Sequence, residues 1–462
     1  MMYINGNWLL ASVAAFLYCI NQWMAVNGIH WLTALTALLL LAATIPCAFD
    51  ARARRFLPYI CFISLFGFPE YSADPYLLNY IAPFSLAKIP ALISMLLMLH
   101  IRFNVIGILV AILLFSSTLG AVLLGRFGAW DAEVWYAALL LLALNASSPL
   151  SDQAKSIWLG ALELLFYLLL PIALFSGATG LYEQRSADTT TYFYGHWIGI
   201  ITTLAIYRAT TGESRLFFSN IFRLPLIVVI VYICSASYQS AHFILFIAAA
   251  AMAALKNIAG RANSTNIAAS FTMLLAIPIS GYIVLSQSGA DSWLYLKVSQ
   301  IFALATGGFL EASNSVTIRV AQFISMFEQS SLFSILGGRG MASTYRPEGP
   351  MWEFVIFHEA TYPAEQLASG KLQYIHEPIT MLIKWIGLVG TTLVLYAIFK
   401  KVHIARSLIS IEGLLALMFL LLFASSLHTG IIVTLLVIFG FGATGRPKMA
   451  AQKILENRPA WH

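Results

Sequence analysis

Charge is what this chain has least of. Lysine, arginine, aspartate and glutamate together make up 10% of 462 residues, whereas 60% are hydrophobic and the mean hydropathy is +0.82. Average soluble domains are about a quarter charged, so the composition excludes an ordinary soluble enzyme and places the chain in lipid. Cysteine is scarce too. Cys19, Cys47, Cys61 and Cys234 lie in or at the ends of apolar runs without metal-ligand spacing, which reads as buried free thiols. Met1–Asn7 lacks a basic n-region, so no cleavable signal peptide is expected. Internal repeats and low-complexity stretches are absent. The net charge of +6 comes from basic residues scattered over short loops, which speaks against a nucleic-acid partner.

What is present is a series of apolar runs. At roughly 17–25 residues per crossing, we expect an all-α polytopic membrane protein with about twelve to fourteen transmembrane helices. The runs begin with Trp8–Trp23 and Ile29–Phe49 and end with Pro378–Phe399, Ile409–Phe423 and Ile431–Phe441. Between them come Phe56–Phe68, Phe84–Leu99, Val105–Leu124, Val134–Ala146, Ile157–Ser176, Tyr192–Tyr207, Leu224–Ile233, Ala241–Leu255 and Ile267–Leu285.

Basic residues orient these runs. With both termini in the cytoplasm, one set of loops collects Arg52, Arg54, Arg55, Arg102, Lys155, Arg208, Arg215, Arg223, Lys256, Arg261, Lys400, Lys401 and Arg406, besides the C-terminal tail. The other short loops hold only Arg126 and Arg185. The positive-inside rule makes the first set cytoplasmic. Charges inside runs are functional candidates by default. Lys384 is read as snorkelling to the interface, Glu163 and Glu412 as interfacial, and Lys88 as an even choice between snorkelling and a polar cavity beside Pro83 and Pro90. His196 and His428, at the ends of runs, also read as interfacial.

The organisation that follows has three parts: an N-terminal bundle over residues 1–285, a large outer loop over 286–377, and C-terminal helices over 378–462. The loop is far longer than the four to six residues typical of a connection. It carries Arg319, Arg339, Arg346, His358, His376, eight carboxylates from Asp291 to Glu377, and the aromatics Trp293, Tyr295, Tyr345, Trp352 and Tyr374. Segments like this carry function on a rigid scaffold. Trp293–Leu310 and Ser315–Phe327 read as amphipathic helices, the second with Val316, Val320, Phe323 and Phe327 on one stripe. A turn built on Gly337, Gly338 and Gly340 follows, then a break at Tyr345–Pro350, then His376-Glu-Pro at the start of the next run. His358 and Glu359 have no partner at metal-ligand spacing.

An arginine on a helix, a glycine-rich turn, a histidine at membrane re-entry and a Gly-x-x-Gly in the next span together resemble the bacterial O-antigen polymerase (Wzy) and O-antigen ligase superfamily. The matching residues are Arg319, Gly337 to Gly340, His376, and Gly387 with Gly390. Two features depart from the family pattern. Glu377 follows the histidine where Asn or Ser is usual, and Ser235–His242 lacks a Ser-Arg pair, offering Gln239 or His242 instead.

The resemblance implies transfer of a glycan from an undecaprenyl-diphosphate carrier to an acceptor hydroxyl on the periplasmic face of the inner membrane, without cofactor or metal. Such chemistry needs a cation for the departing diphosphate, which a guanidinium supplies in bidentate form. Arg319 is the first choice and Arg339 the second, although Arg319 paired with Glu311 or Glu328 on a solvated face is the bland alternative. His376 is the expected base, with Glu377 orienting it or acting in its place. Gly338, Gly340, Gln239, Arg346 and Trp352 are expected to contact substrate, or, for Arg346 and Trp352, to pack the loop. A polymerase is favoured over a ligase by the missing Ser-Arg pair, and a chain-length regulator and a flippase are the expected partner proteins. A transporter of lipid-linked oligosaccharide would show pseudo-repeats and short outer loops. A GT-C glycosyltransferase would carry acids in the first outer loop, and Met24–Ile29 has none.

Overall fold

Backbone polar groups in hydrocarbon must be paired within the chain, and helices achieve this locally. The computed structural model of the chain is accordingly mostly helical. It describes residues 6–27, 29–68, 86–101, 103–126, 132–147, 150–179, 184–186, 189–191, 196–213, 240–260, 264–287, 314–355, 364–373, 375, 377–404, 409–421 and 426–440.

The N-terminal part contains α1 (Gly6–Val26), α2 (His30–Phe49), α3 (Leu57–Phe66), α4 (Ile89–Met98) and α5 (Val105–Leu123). It continues with α6 (Ala132–Asn145), α7 (Asp152–Thr179), α8 (His196–Thr211), α9 (Ser240–Ala259) and α10 (Ser264–Gln287). The polar segment supplies α11 (Asn314–Glu328), α12 (Leu332–Gly337) and α13 (Ala364–Ser369). The C-terminal part holds α14 (Pro378–Ile404), α15 (Ile411–Leu421) and α16 (Ser426–Ile438). Two short antiparallel pairs, His100–Ile101 with Ala146–Ser147 and Gln184–Ser186 with Thr189–Thr191, are the strands among the described residues.

Four described helical stretches are long and apolar enough to cross a membrane: Trp31–Phe49, Val105–Leu123, Asp152–Pro171 and Pro378–Val402. Shorter apolar helices, such as Leu245–Ala259 and Ile411–Leu421, accompany them. The expected run Leu224–Ile233 and the expected helix Trp293–Leu310 lie outside the described residues.

One continuous core joins the first and last thirds of the chain. In it α1 packs on α7, α8 on α9, α16 on α6, and both α5 and α12 on α14. Trp158 of α7 anchors the N-terminal side. Its ring meets Phe62 edge-on at 5.0 Å, and its indole N–H donates to the Pro58 carbonyl at 3.1 Å. Asn104 caps α5 by accepting from the Gly107 N–H at 2.7 Å, a bond that satisfies a donor the first turn leaves open.

Two buried charges depart from the sequence reading. Glu163 is only 1% exposed and pairs with Arg208 at 2.9 Å, so it is not interfacial but a buried link between α7 and α8. Lys384 is also 1% exposed and donates to the Gln373 carbonyl at 2.7 Å. It turns inward instead of snorkelling, because the folded-back polar segment brings that carbonyl over it.

Candidate functional site

The break in α14 organises the site. Gly387 sits at φ 68°, ψ −176° inside the helix, a region essentially closed to residues with a Cβ. The break turns the Lys384 and Trp385 carbonyls toward other partners. The Arg339 and Gly340 N–H groups donate to the Lys384 carbonyl at 2.7 and 3.1 Å, and the Ser117 hydroxyl of α5 donates to the Trp385 carbonyl at 2.6 Å. The Met341 N–H donates to Thr118 Oγ1 at 3.2 Å.

The glycine-rich turn therefore docks into the interrupted helix and against α5, with no room for side chains at Gly338 and Gly340. A Cβ on Gly338 would lie 2.3 Å from the Trp385 carbonyl oxygen, and one on Gly387 would lie 2.2 Å from that of Leu336. One on Gly340 would meet the Ser117 carbonyl at 2.5 Å. Gly338 and Gly387, one from each glycine group singled out in the sequence, are thus the two halves of one backbone-to-backbone contact.

Helix α11 brings Arg319 to this end of α14. Its buried face is Thr317, Ile318, Ala321, Gln322, Ser325 and Met326, whereas Phe323 is 42% exposed. Of the apolar stripe expected on this helix, Val320 and Phe327 are half-buried and Phe323 is outward. Polar Ser325 is drawn inward because the Trp352 indole donates to its hydroxyl at 2.6 Å and it donates in turn to the Glu348 carbonyl at 3.3 Å. Arg319 lies at the edge of this face. Burial pushes its guanidinium down to about 10, and the negative charge of Glu377 opposes that shift. Glu377 stands just before the first turn of α14, where its carboxylate accepts from the Thr380 hydroxyl and its carbonyl from the Met381 N–H at 2.9 Å. Of the three expected catalytic residues, Arg319 thereby feels the charge of Glu377. The third, His376, lies outside the described residues between Ile375 and Glu377, as do Gln239, His358 and Tyr374.

The remaining expected residues divide. Arg339 is buried and donates to the Gln329 carbonyl at 3.2 Å, the Ser330 hydroxyl at 3.4 Å and the Thr344 carbonyl at 2.9 Å. It staples the glycine turn to the end of α11. Burial, and then the positive charge of Arg126, push its basicity down. Trp352 is buried and lies 6.3 Å from the Tyr345 ring, so of its two expected roles it packs the loop. Arg346 is exposed and pairs with Glu348 at 3.4 Å.

Sequence reasoning passed over Arg126 and misjudged Lys384. The Arg126 carbonyl accepts from the Thr344 N–H at 2.9 Å, which ties the end of α5 to the polar segment. Its signal was its place as an exception to the basic-residue bias. Lys384 underlies the same junction, its carbonyl holding the glycine turn and its ammonium the segment before α14. Among the described residues, no three His, Cys, Asp or Glu side chains gather as a metal site. The arrangement is a cationic, partly desolvated corner with one carboxylate, suited to an anion and to a proton transfer beside it. No protein-family model, curated protein or solved structure matches this chain.

Proposed function

We propose that the chain is a membrane glycosyltransferase of the O-antigen polymerase type, joining repeat units carried on undecaprenyl diphosphate. The observation that carries this reading is a largely buried guanidinium, Arg319, that feels the charge of Glu377, a carboxylate at the first turn of the broken helix α14. A desolvated guanidinium interacts more strongly with diphosphate than a solvated one, because charges attract more strongly at low effective dielectric. The acceptor hydroxyl attacks the anomeric carbon while its proton passes to His376 or Glu377. The sugar–phosphate C–O bond breaks with inversion, and the electron pair leaves on the diphosphate beside Arg319. Arg126 adds positive charge beside Arg339, which holds the glycine turn. Lys384 is part of the scaffold on this reading.

The test is polymerisation by the purified, reconstituted protein using the native lipid-linked repeat unit. Formation of polymer with release of undecaprenyl diphosphate is expected, and absence of both would refute the proposal. In cells, loss of the gene should leave single repeat units on the core lipid. Uncapped core with accumulating lipid-linked polymer would indicate the ligase instead.

A further inference from the structure

From Gln329 to Gly338 the polar segment carries no charged side chain. Within this run α12 turns Leu332, Phe333 and Leu336 outward, with Phe333 89% and Leu332 68% exposed. Its opposite side is fastened to α14 through the contact of Gly387 with Leu336 and Gly337. Single exposed apolar residues need no explanation, but these three are not isolated.

They lie between two other outward apolar stripes. On α5, Ile112, Phe115, Leu119 and Leu123 are exposed, and α12 packs against that helix. On α14, Leu388 and Val389 are exposed directly after the break, with Tyr396 and Phe399 continuing the stripe. Both helices are long and apolar enough to cross a membrane. α12 packs on both of them, and all three helices turn apolar side chains outward.

The backbone around α12 is also paired as lipid requires. Ser331 caps the helix by accepting from the Ser334 N–H, and Ile335 and Gly338 donate to the Ser331 and Ser334 carbonyls at 2.9 Å. Arg339 and Gly340 donate to Lys384, and Met341 to Thr118. Arg339, the first charge after the run, points its guanidinium back onto the Gln329 and Thr344 carbonyls. Water would satisfy such groups in an ordinary surface loop, whereas at membrane depth they must be satisfied by protein.

We infer that α12 is a re-entrant anchor, inserted into one leaflet of the bilayer so that Leu332, Phe333 and Leu336 contact lipid acyl chains. The segment between α10 and α14 is then not one aqueous loop, because it dips into the bilayer at its middle. An uncharged run this short suits a re-entrant element better than a span. The inference rests on packing and exposure alone and stands whether or not the protein transfers glycans.

The test is spin-label accessibility in protein reconstituted in phosphatidylcholine vesicles, with the native cysteines replaced. Nitroxides are placed singly at Phe333→Cys and Leu332→Cys, with Phe115→Cys as the lipid-facing control and Glu348→Cys as the aqueous one. We expect the ratio of collisions with oxygen to collisions with a water-soluble nickel chelate to match Phe115 and to exceed Glu348 several-fold. A ratio matching Glu348 would overturn the inference. Shielding from both reagents would overturn it too, since protein would then cover the face. If one variant fails to fold, the other still decides the outcome.

Discussion

A guanidinium whose basicity has fallen to about 10 is still protonated at neutral pH, but less favourably than in water. Any added anion that restores its stabilisation binds more tightly there than to a solvated arginine, and it raises the group's proton affinity on binding. Arg319→Lys should abolish most transfer, because an ammonium lacks the two-pronged donor geometry that grips diphosphate oxygens. Lysine also starts from a lower value, near 10.4. The same burial would bring it closer to neutrality, so binding of the lipid diphosphate to this variant should weaken as pH rises, well before it does in the parent. Titration of diphosphate binding against pH checks this, and a profile identical to the parent would contradict it. Glu377→Gln separates two roles. The carboxylate competes with substrate for Arg319, so its removal should leave diphosphate binding equal or tighter. If it also takes or orients the proton, the transfer rate should still fall by about 10²–10⁴-fold, the usual span for a lost general base. Weaker binding with an unchanged rate would exclude Glu377 from proton transfer. Both residues were singled out before the fold by the family resemblance, Arg319 as its helix-borne arginine and Glu377 as the neighbour of its re-entry histidine. That Glu377 acts on Arg319 was not legible, since it depends on tertiary folding.

Among the helices, the junction of α12, α14 and α5 depends on glycine at some positions and not at others. A Cβ at Gly387 would both force a strained backbone and strike the Leu336 carbonyl. Strain of this kind costs about 1–3 kcal/mol before any steric term. Gly338, at φ 96°, faces the same difficulty against Trp385. Gly337, in the same motif, has nothing within 4 Å of its missing Cβ and a helical backbone. Gly387→Ala and Gly338→Ala should therefore lower the melting temperature of the detergent-solubilised protein by several degrees or abolish its monodisperse peak, whereas Gly337→Ala should behave as the parent. Equal tolerance of all three would mean that the turn does not dock into α14. The glycines could be read from the sequence because only a few backbone geometries demand them. Lys384 could not be read the same way. A lysine in an apolar run looks alike whether it snorkels or meets a carbonyl, and the Gln373 carbonyl reaches it only through tertiary folding. The inward turn of Ser325 could not be read either, because periodicity finds an apolar stripe but not whether Trp352 will draw a polar side chain inward.

Across the whole molecule, interacting charges among the described residues fall into two groups. Arg208 pairs with Glu163 and donates to the Glu213 carbonyl, and Lys256 pairs with Glu213. Glu412 acts electrostatically on Tyr207 and on Lys401, and Lys155 acts on Lys401. These are basic residues assigned by sequence to one side of the membrane, and they converge at the end of α14 that carries Lys401. Arg126, Arg319, Arg339 and Glu377 gather near its other end, beside the glycine turn. The bundle thus brings together what loop alternation had grouped, even though Glu163 is buried where it was read as interfacial. A buried pair is costly to break, about 3–5 kcal/mol when one partner is removed, so it fixes α7 against α8 more firmly than an interfacial charge would. With the Lys401 end rich in basic residues, the positive-inside rule assigns it to the cytoplasm and the Arg319 end to the outside. Single cysteines at Glu348 and Ser151, both exposed positions, in a background without native thiols, test the assignment in intact cells. An impermeant maleimide should label Glu348→Cys from outside and reach Ser151→Cys only after permeabilisation. Labelling of Ser151→Cys in intact cells, with protection of Glu348→Cys, would invert the molecule. It would also place Arg319 and Glu377 on the wrong face for a carrier-linked repeat unit that is polymerised outside.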